Sequence, residues 1–286
     1  EGAGGASATL PPLSWVDAST GHRIHRLTSE PNSTGLYFNI NAYTPDGKEM
    51  VYMAGDGIHA LNLESMKTRL VVPGKNLHAI VVGKKTSTVY YTKNGELALY
   101  SANIDTGESK KLATLPPRGK VFTINADETL AAGTYIEGTQ GQDYGENRVM
   151  PAGQSGPLVQ PLNKGQMMVQ RLAAHLPLVM FTLNLQTGEQ KALLHSTDWI
   201  NHLLFSPTDP TLLMYCHEGN WEKVDRIWNI RTDGTHNELI HKRTMAMEIA
   251  GHEFWGQDGE TIWYDLQTPR GVDFWLASYN LQTGER

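Results

Sequence analysis

An all-β fold of the propeller type is what this sequence predicts, and three observations predict it. A polar turn recurs between apolar alternating runs: DASTGHR (17–23), LESMKTR (63–69), IDTGESK (104–110), LQTGEQK (185–191), IRTDGTH (230–236) and LQTGER (281–286). A second kind of turn opens each unit, as in NAYTPDGKEMVYM (41–53), LLFSPTDPTLLMYC (203–216) and EFWGQDGETIWYD (253–265). The third observation is the spacing. Gly21 to Lys67 is 46 positions, Lys67 to Gly107 is 40, Gly188 to Gly234 is 46 and Gly234 to Gly284 is 50. Four short strands per unit at a period of about 40–50 residues mark a propeller blade. A β-sandwich is the runner-up, but its turns would not recur in such similar wording.

The elements follow in order. Pro-Asp-Gly and its relatives supply hairpin turns, because Pro presets φ and Gly accepts positive φ. The flanking Val, Ile, Tyr and Trp favour strands. Five units open near residues 38, 78, 121, 202 and 252. The leading segment 14–28 has the turn of a unit's later half without an earlier half, so it is expected to supply outer strands of a closing blade, since an open ring leaves strand edges unpaired. A seven-bladed ring would need roughly another 100 residues. Residues 1–286 therefore read as a single propeller domain, incomplete at its C-terminal side, with further blades expected beyond Arg286 or on a separate segment. The 81 positions from Gly107 to Gly188 hold an insertion, 136–175, within the third blade. Its first part is Gly- and Gln-rich and reads as a loop; NKGQMMVQRLAAH reads as a short helix. The insertion belongs either to a binding face or to a plain surface loop.

Composition narrows the partners. The chain is 40% hydrophobic and 19% charged, with net charge −6. That balance gives nucleic acid no electrostatic support, and no apolar run reaches the length of a membrane span. A polyanionic ligand would need a locally basic site. Cys216 is the one cysteine, so no internal disulfide forms. The small-residue start EGAGGASATLPPL reads as an end left by signal-peptide removal, or as a trimmed start. A periplasmic or secreted location is expected, with a cytoplasmic one as the alternative.

Histidines mark the inner strands. Counting back from the turns aligns His78, His202 and His252 at one repeat position, with Ile40 and Val121 in the other two blades. Inner strands line the axial channel, so either these imidazoles converge on one pore or the alignment is coincidence and each bonds locally. A register slip of one residue would turn a side chain to the other face. His217, beside Glu218, is either a metal ligand or acid/base pair, or part of an exposed strand-end turn. Arg226 is either ion-paired to its neighbour Asp225 or a carboxylate clamp.

The segments CHEGNWEKVDRIW (216–228) and AGHEFWGQDGETIWY (250–264), with LYFNINAYTPDGKEMVY (36–52), resemble the oligogalacturonate lyases, seven-bladed propeller enzymes of pectin degradation. The resemblance covers nearly the whole chain and is weakest in 136–175. It implies β-elimination on oligogalacturonate or a related uronate-containing oligosaccharide, giving a 4,5-unsaturated product. It also implies His252 as the Brønsted base and Arg226 as the substrate-binding arginine. A divalent metal, usually manganese, is implied too, held by histidines and a glutamine of later blades; no residue of this sequence matches those ligands. On this reading His202 and His217 join Arg226 in an anion-binding wall, with His78 and Arg171 as further substrate-binding candidates, and the partner is an acidic oligosaccharide. The chemistry suits these residue types. A neutral imidazole accepts the C5 proton near neutral pH, and a cation neutralises the carboxylate onto which the charge spreads. The competing reading is a non-catalytic propeller serving binding or scaffolding, since fold alone does not give function. A peptidase propeller is disfavoured, because the chain has no G-x-S-x-G elbow.

Overall fold

A computed structural model describes residues 12–138 and 163–286. Strands β1 (Ser14–Val16) and β2 (Arg23–His25) pair with each other as a two-stranded sheet. Five larger sheets follow, each a meander whose spatial order is its chain order. The first holds β3 (Thr34–Gly35), β4 (Glu49–Ala54), β5 (Gly57–Asn62) and β6 (Thr68–Pro73). The second holds β7 (Leu77–Val82), β8 (Thr88–Lys93), β9 (Ala98–Asn103) and β10 (Ser109–Thr114). The third comprises β11 (Lys120–Ile124), β12 (Leu130–Ile136), β13 (Leu178–Asn184) and β14 (Gln190–Ser196), with helix α1 (Lys164–Ala174) between β12 and β13. The fourth comprises β15 (Trp199–Phe205), β16 (Leu212–Glu218), β17 (Ile227–Arg231) and β18 (Glu238–Leu239). The fifth has β19 (Ile249–Trp255), β20 (Thr261–Gln267) and β21 (Phe274–Asn280), and Phe274, Trp275 and Leu276 of β21 are exposed. These are the blades of a β-propeller. The expected insertion separates the second and third strands of the third blade. Its helical half is α1, opened by an Asn163–Gln166 capping box, and most of its loop half lies outside the described residues.

All the recurring Thr-Gly-type turns that lie between strands link the third strand of a blade to the fourth, and β1 to β2. Three of these turns, and the one that follows β21, share a device: an asparagine at the end of the preceding strand. Asn62, Asn103, Asn184 and Asn280 each accept a hydrogen bond from the backbone N–H three residues on, at 2.8–3.0 Å. Such Asx turns replace the pairing that the backbone gives up on leaving the strand. Gly107, Gly188 and Gly284 then take φ of 71–73°. The first blade has Met66 in the same left-handed region, at φ 56°.

Apolar clusters fill the space between consecutive blades. Val51, Ile58 and Val72 pack on Val82, Val89 and Tyr91; Tyr90 and Leu99 pack on Phe181 and Leu183. Met180 and Leu178 meet Tyr215 and Leu213, and Met214 and Ile227 meet Ile262 and Tyr264. Burying a side chain of this size contributes roughly 1.5–3 kcal/mol.

The inner strand of each of the last four blades carries a β-bulge. One residue too many faces the second strand, which bends the inner strand and sharpens its twist. In the third blade the bulge needs Gly133 opposite. A Cβ there would lie 2.0 Å from the Lys120 carbonyl oxygen and 3.0 Å from the Phe181 ring. Gly133→Ala is therefore expected to destabilise the protein by about 1–3 kcal/mol through overpacking against backbone, read as a lowered denaturation midpoint. An unchanged midpoint would show that the strand relaxes freely there.

Candidate active site at the bulges of the fourth and fifth blades

The bulges of β15 and β19 are built alike. His202 and Leu203 face the single residue Tyr215, and His252 and Glu253 face Tyr264. His202 and His252 both adopt left-handed backbone, at φ 50° and 49°, a region that costs a non-glycine residue about 1–3 kcal/mol and clusters at functional sites. So these two histidines hold equivalent positions in adjacent blades, as their sequence alignment has it. His78 does not. It pairs regularly with Thr92 ahead of its bulge. Counting back from the first regular pair after the bulge, Val81↔Tyr90 or Leu204↔Met214, His78 matches Asn201. Counted the same way from Thr123↔Ala132, Val121 of β11 does match His202, as the sequence alignment has it. Turn-based counting is one residue out in the second blade alone.

Around His202 lies a buried charge network. Its Nδ1 is 3.0 Å from Glu253 Oε1 and its Nε2 is 3.3 Å from Glu218 Oε1. The Arg226 guanidinium, 2% exposed, donates to Glu218 Oε2 at 2.9 Å and lies 3.6 Å from Glu253 Oε2. The Cys216 thiol donates to Glu253 Oε1 at 2.7 Å. Strand alternation assembles this group, since Cys216 and Glu218 of β16 both face the fifth blade. Burial works against a charged His202, but hydrogen bonding and charge from Glu253, with Glu218, outweigh it and hold the imidazole pKa above its ordinary value. Burial likewise opposes the Glu253 carboxylate, yet His202 and Arg226 hold its pKa well below the usual range. Burial beside Glu253 pushes the Cys216 thiol up, keeping it protonated.

Arg226 is thus neither paired with Asp225 nor an open clamp. Asp225, like Arg226 just ahead of β17, instead accepts from Arg243 Nε at 3.1 Å. The Arg226 fork is committed to two carboxylates. Its Nε has no hydrogen-bond partner and would lie 3.9 Å from a Cβ at Gly251.

His252 is different. Its side chain is half exposed, and Nδ1 is 3.2 Å from Asp265 Oδ1. A carboxylate at Nδ1 selects the tautomer with the proton there, leaving Nε2 able to accept one; among the described residues Nε2 has no hydrogen-bond partner. Trp221 joins the two halves of the site. Its ring centroid is 5.1 Å from the Arg226 guanidinium and 5.7 Å from the His252 ring, edge-on. Tyr37 and Phe38 cover the mouth, at 6.5 Å from His202 and 6.2 Å from His252.

His217 falls outside this wall. It faces the third blade, stacks on Trp228 at 5.0 Å and meets Asp198 at 3.2 Å. Burial lowers its pKa and Asp198 only partly compensates. The His-Glu step places its two members on opposite faces of β16, so the pair cannot act together. Arg171 of α1 lies 4.0 Å over Trp199, and with His78 lines a cavity of about 640 Å³ that also borders Asn201. Sequence reasoning missed Glu218 and Glu253 as partners of Arg226 and His202, along with Asp265 and Trp221. Glu218 and Glu253 each sit beside a histidine in the sequence, a signal that could have found them.

Among the described residues, one group has donors close enough for a metal ion: His202, Cys216 and Glu253, whose ligand atoms lie within 4.8 Å of one another. It does not fit manganese. Mn²⁺ favours carboxylate, carbonyl and water ligands, whereas this group is a protonated thiol, a carboxylate already shared with Arg226, and an imidazole held toward its cationic form.

Radial four-stranded meanders with histidines presented at inner-strand bulges, beside a buried guanidinium and three carboxylates, define a propeller with an acid–base site between neighbouring blades. The chain belongs to the oligogalacturonate lyase family, whose model matches residues 3–278. It is 25% identical over 261 residues to an oligogalacturonide lyase of Pectobacterium atrosepticum, a match that spans 87% of this chain and 62% of that relative. Two solved structures are similar in fold. One is an oligogalacturonate lyase in complex with manganese (TM-score 0.77, 23% identity, 95% of this chain and 70% of that one). The other is an oligogalacturonate lyase of Vibrio parahaemolyticus (TM-score 0.78, 24% identity, 95% and 70%). No described helix is long and apolar enough to cross a membrane.

Two outcomes test the network. Arg226→Met strands Glu218 and Glu253 as buried, uncompensated charges and should cost about 3–5 kcal/mol, measured by chemical denaturation. The raised pKa of His202 sets a pH dependence. A group whose pKa is higher folded than unfolded stabilises fully below the unfolded value, here 6.5, and that contribution fades as pH rises through the folded value. Thermal midpoints should therefore drop as pH rises through and above neutrality, with a shallower drop in His202→Asn; Glu253 stays ionised throughout that window. Equal slopes would remove His202 as the titrating group.

Proposed function

We propose that this chain carries the base and the anion-facing wall of a lyase that splits oligogalacturonate, or a related uronate-containing oligosaccharide, by β-elimination. One observation carries the reading: in a member of this family, a half-exposed histidine is held by a carboxylate on Nδ1, its Nε2 open and a buried guanidinium–carboxylate network beside it. The chain spans 62% of the length of its Pectobacterium relative, so the activity of the whole protein stays a proposal.

In this reaction Nε2 of His252 accepts the proton from C5. The C5–H electron pair becomes the C4=C5 double bond, the C4–O bond breaks with its electron pair going to oxygen, and that oxygen takes a proton from water and leaves as a hydroxyl. Asp265 orients the imidazole and stabilises the imidazolium that forms. Charge developing at C5 spreads onto the sugar carboxylate, which is already negative, so positive charge nearby lowers the barrier. His202, held toward its cationic form, supplies one such charge. Arg226 lies beneath, neutralised by Glu218 and Glu253, and holds in place the carboxylates that position His202. A divalent cation would neutralise the same carboxylate. The relative in complex with manganese suggests one, and the donors described here do not hold it.

His252→Asn tests the base, because asparagine tolerates left-handed backbone and keeps the bulge. With oligogalacturonate the variant should form the ultraviolet-absorbing unsaturated product about 10²–10⁴-fold more slowly, at an unchanged thermal midpoint. Product formation at the parental rate would falsify the assignment.

A further inference from the structure

The group formed by His202, Cys216 and Glu253 is a poor host for manganese, yet its donors suit another class of ion. Imidazole, thiol and carboxylate are the set that a thiophilic divalent cation such as Zn²⁺ takes, whereas manganese favours oxygen ligands. The three ligand atoms lie within 4.8 Å of one another. Glu253 Oε1 accepts from both of the others, His202 Nδ1 at 3.0 Å and Cys216 Sγ at 2.7 Å. Two protons therefore stand where one ion would sit. Small outward shifts of the side chains admit Zn–N and Zn–O bonds of about 2.0–2.2 Å and a Zn–S bond of about 2.3 Å. The groups behind the donors are those a metal centre uses. Glu218 Oε1 lies 3.3 Å from His202 Nε2, and a carboxylate on the far nitrogen is the usual company of a metal-binding imidazole. Arg226 Nη2 donates to Cys216 Sγ at 3.7 Å, toward the charge a thiolate would carry. A separate observation concerns Glu253, whose side chain is 0% exposed: its Oε2, 3.6 Å from Arg226, is buried without a hydrogen-bond partner among the described residues. The charge balances as well. A dication held by thiolate, carboxylate and neutral imidazole leaves Arg226 matched by Glu218, so the buried cluster stays neutral overall, as it is with the two protons. The imidazole is the exposed member of the three, at 31% against buried Cys216 and Glu253, and gives the ion its way in.

We propose that His202, Cys216 and Glu253 form a binding site for a thiophilic divalent cation of the zinc type. The ion takes imidazole nitrogen, thiolate sulfur and carboxylate oxygen, with water in the fourth position. Its binding releases the thiol proton and one imidazole proton to solvent. His202 and Cys216 belong to the fourth blade and Glu253 to the fifth, so the ion clamps together two blades that Arg226 already pairs. Neither the donors nor the test below involves a substrate, so the site stands or falls apart from the lyase reading.

The test titrates the parent protein, stripped by a chelator, with Co²⁺ as the coloured stand-in for Zn²⁺. A thiolate-to-cobalt charge-transfer band should grow in the near ultraviolet and vanish as Zn²⁺ displaces the cobalt, while Mn²⁺ at the same concentration leaves it in place. Cys216 is the one cysteine of the sequence, so the band reports this site alone. Zn²⁺ should also raise the thermal midpoint, by an amount that grows with its free concentration, and Mn²⁺ should not. Cys216→Ser keeps a hydrogen-bond donor toward Glu253. It should bind Zn²⁺ more weakly by more than the roughly 10–100-fold seen when a group behind a ligand is changed, read by competition with a chelating dye. X-ray absorption of the zinc-loaded parent needs no variant to fold, and should show a sulfur neighbour at about 2.3 Å. Absence of the charge-transfer band, absence of that sulfur neighbour, or equal zinc affinity in a folded Cys216→Ser protein overturns the site.

Discussion

The guanidinium of Arg226, sealed between Glu218 and Glu253, is the interaction on which the site depends. A buried cation is tolerated only where opposite charge and hydrogen bonds replace its water. Here the replacements come from two blades. Glu218 ends the second strand of the fourth blade, and Glu253 sits in the bulge of the fifth. The pairing therefore ties blade to blade at the point where apolar packing gives way to the channel. It also holds Glu253 ionised, and an ionised Glu253 raises the pKa of His202 against the effect of burial.

A second constraint acts on the backbone. Each bulge presents its extra residue off the regular ladder, and the left-handed conformation of His202 and His252 aims two equivalent side chains from two blades. Their carboxylate surroundings then differ. His202 lies between Glu253 and Glu218 and is held toward the imidazolium. His252 has a single carboxylate at Nδ1 and an exposed ring. Setting two like groups apart by environment is how one fold assigns separate acid–base roles. Trp221 touches both the buried cation and the exposed imidazole, so the floor of the site is one continuous surface.

Much of this was legible beforehand. The turn at 185–191 announces its hairpin because glycine at the left-handed position has few substitutes, and the apolar alternation of residues 212–216 announces a buried strand. The pairing of His202 with His252 was legible because both precede their turns by the same count. His78 was misaligned by one residue, since Gly83 rather than Val82 holds the turn position of Ser206 and Gly256, its N–H donating to the Thr88 carbonyl as theirs donate to Leu212 and Thr261. The partners of Arg226 were not legible. Asp225 is its neighbour in sequence but is taken up by Arg243, and the carboxylates that hold Arg226 lie 8 and 27 positions away.

Local chemistry depends on residues within a few positions of one another, and that is why the sequence by itself determined the strands, the turns, the blade period and the histidines at the inner strands. Which charges meet is another matter. Only the tertiary structure decided that Glu253 pairs with Arg226, that Asp265 meets His252, and that His217 and Glu218 lie on opposite faces of β16. Those contacts run between strands and between blades, and their cost and benefit arise from burial, which no run of neighbouring residues specifies.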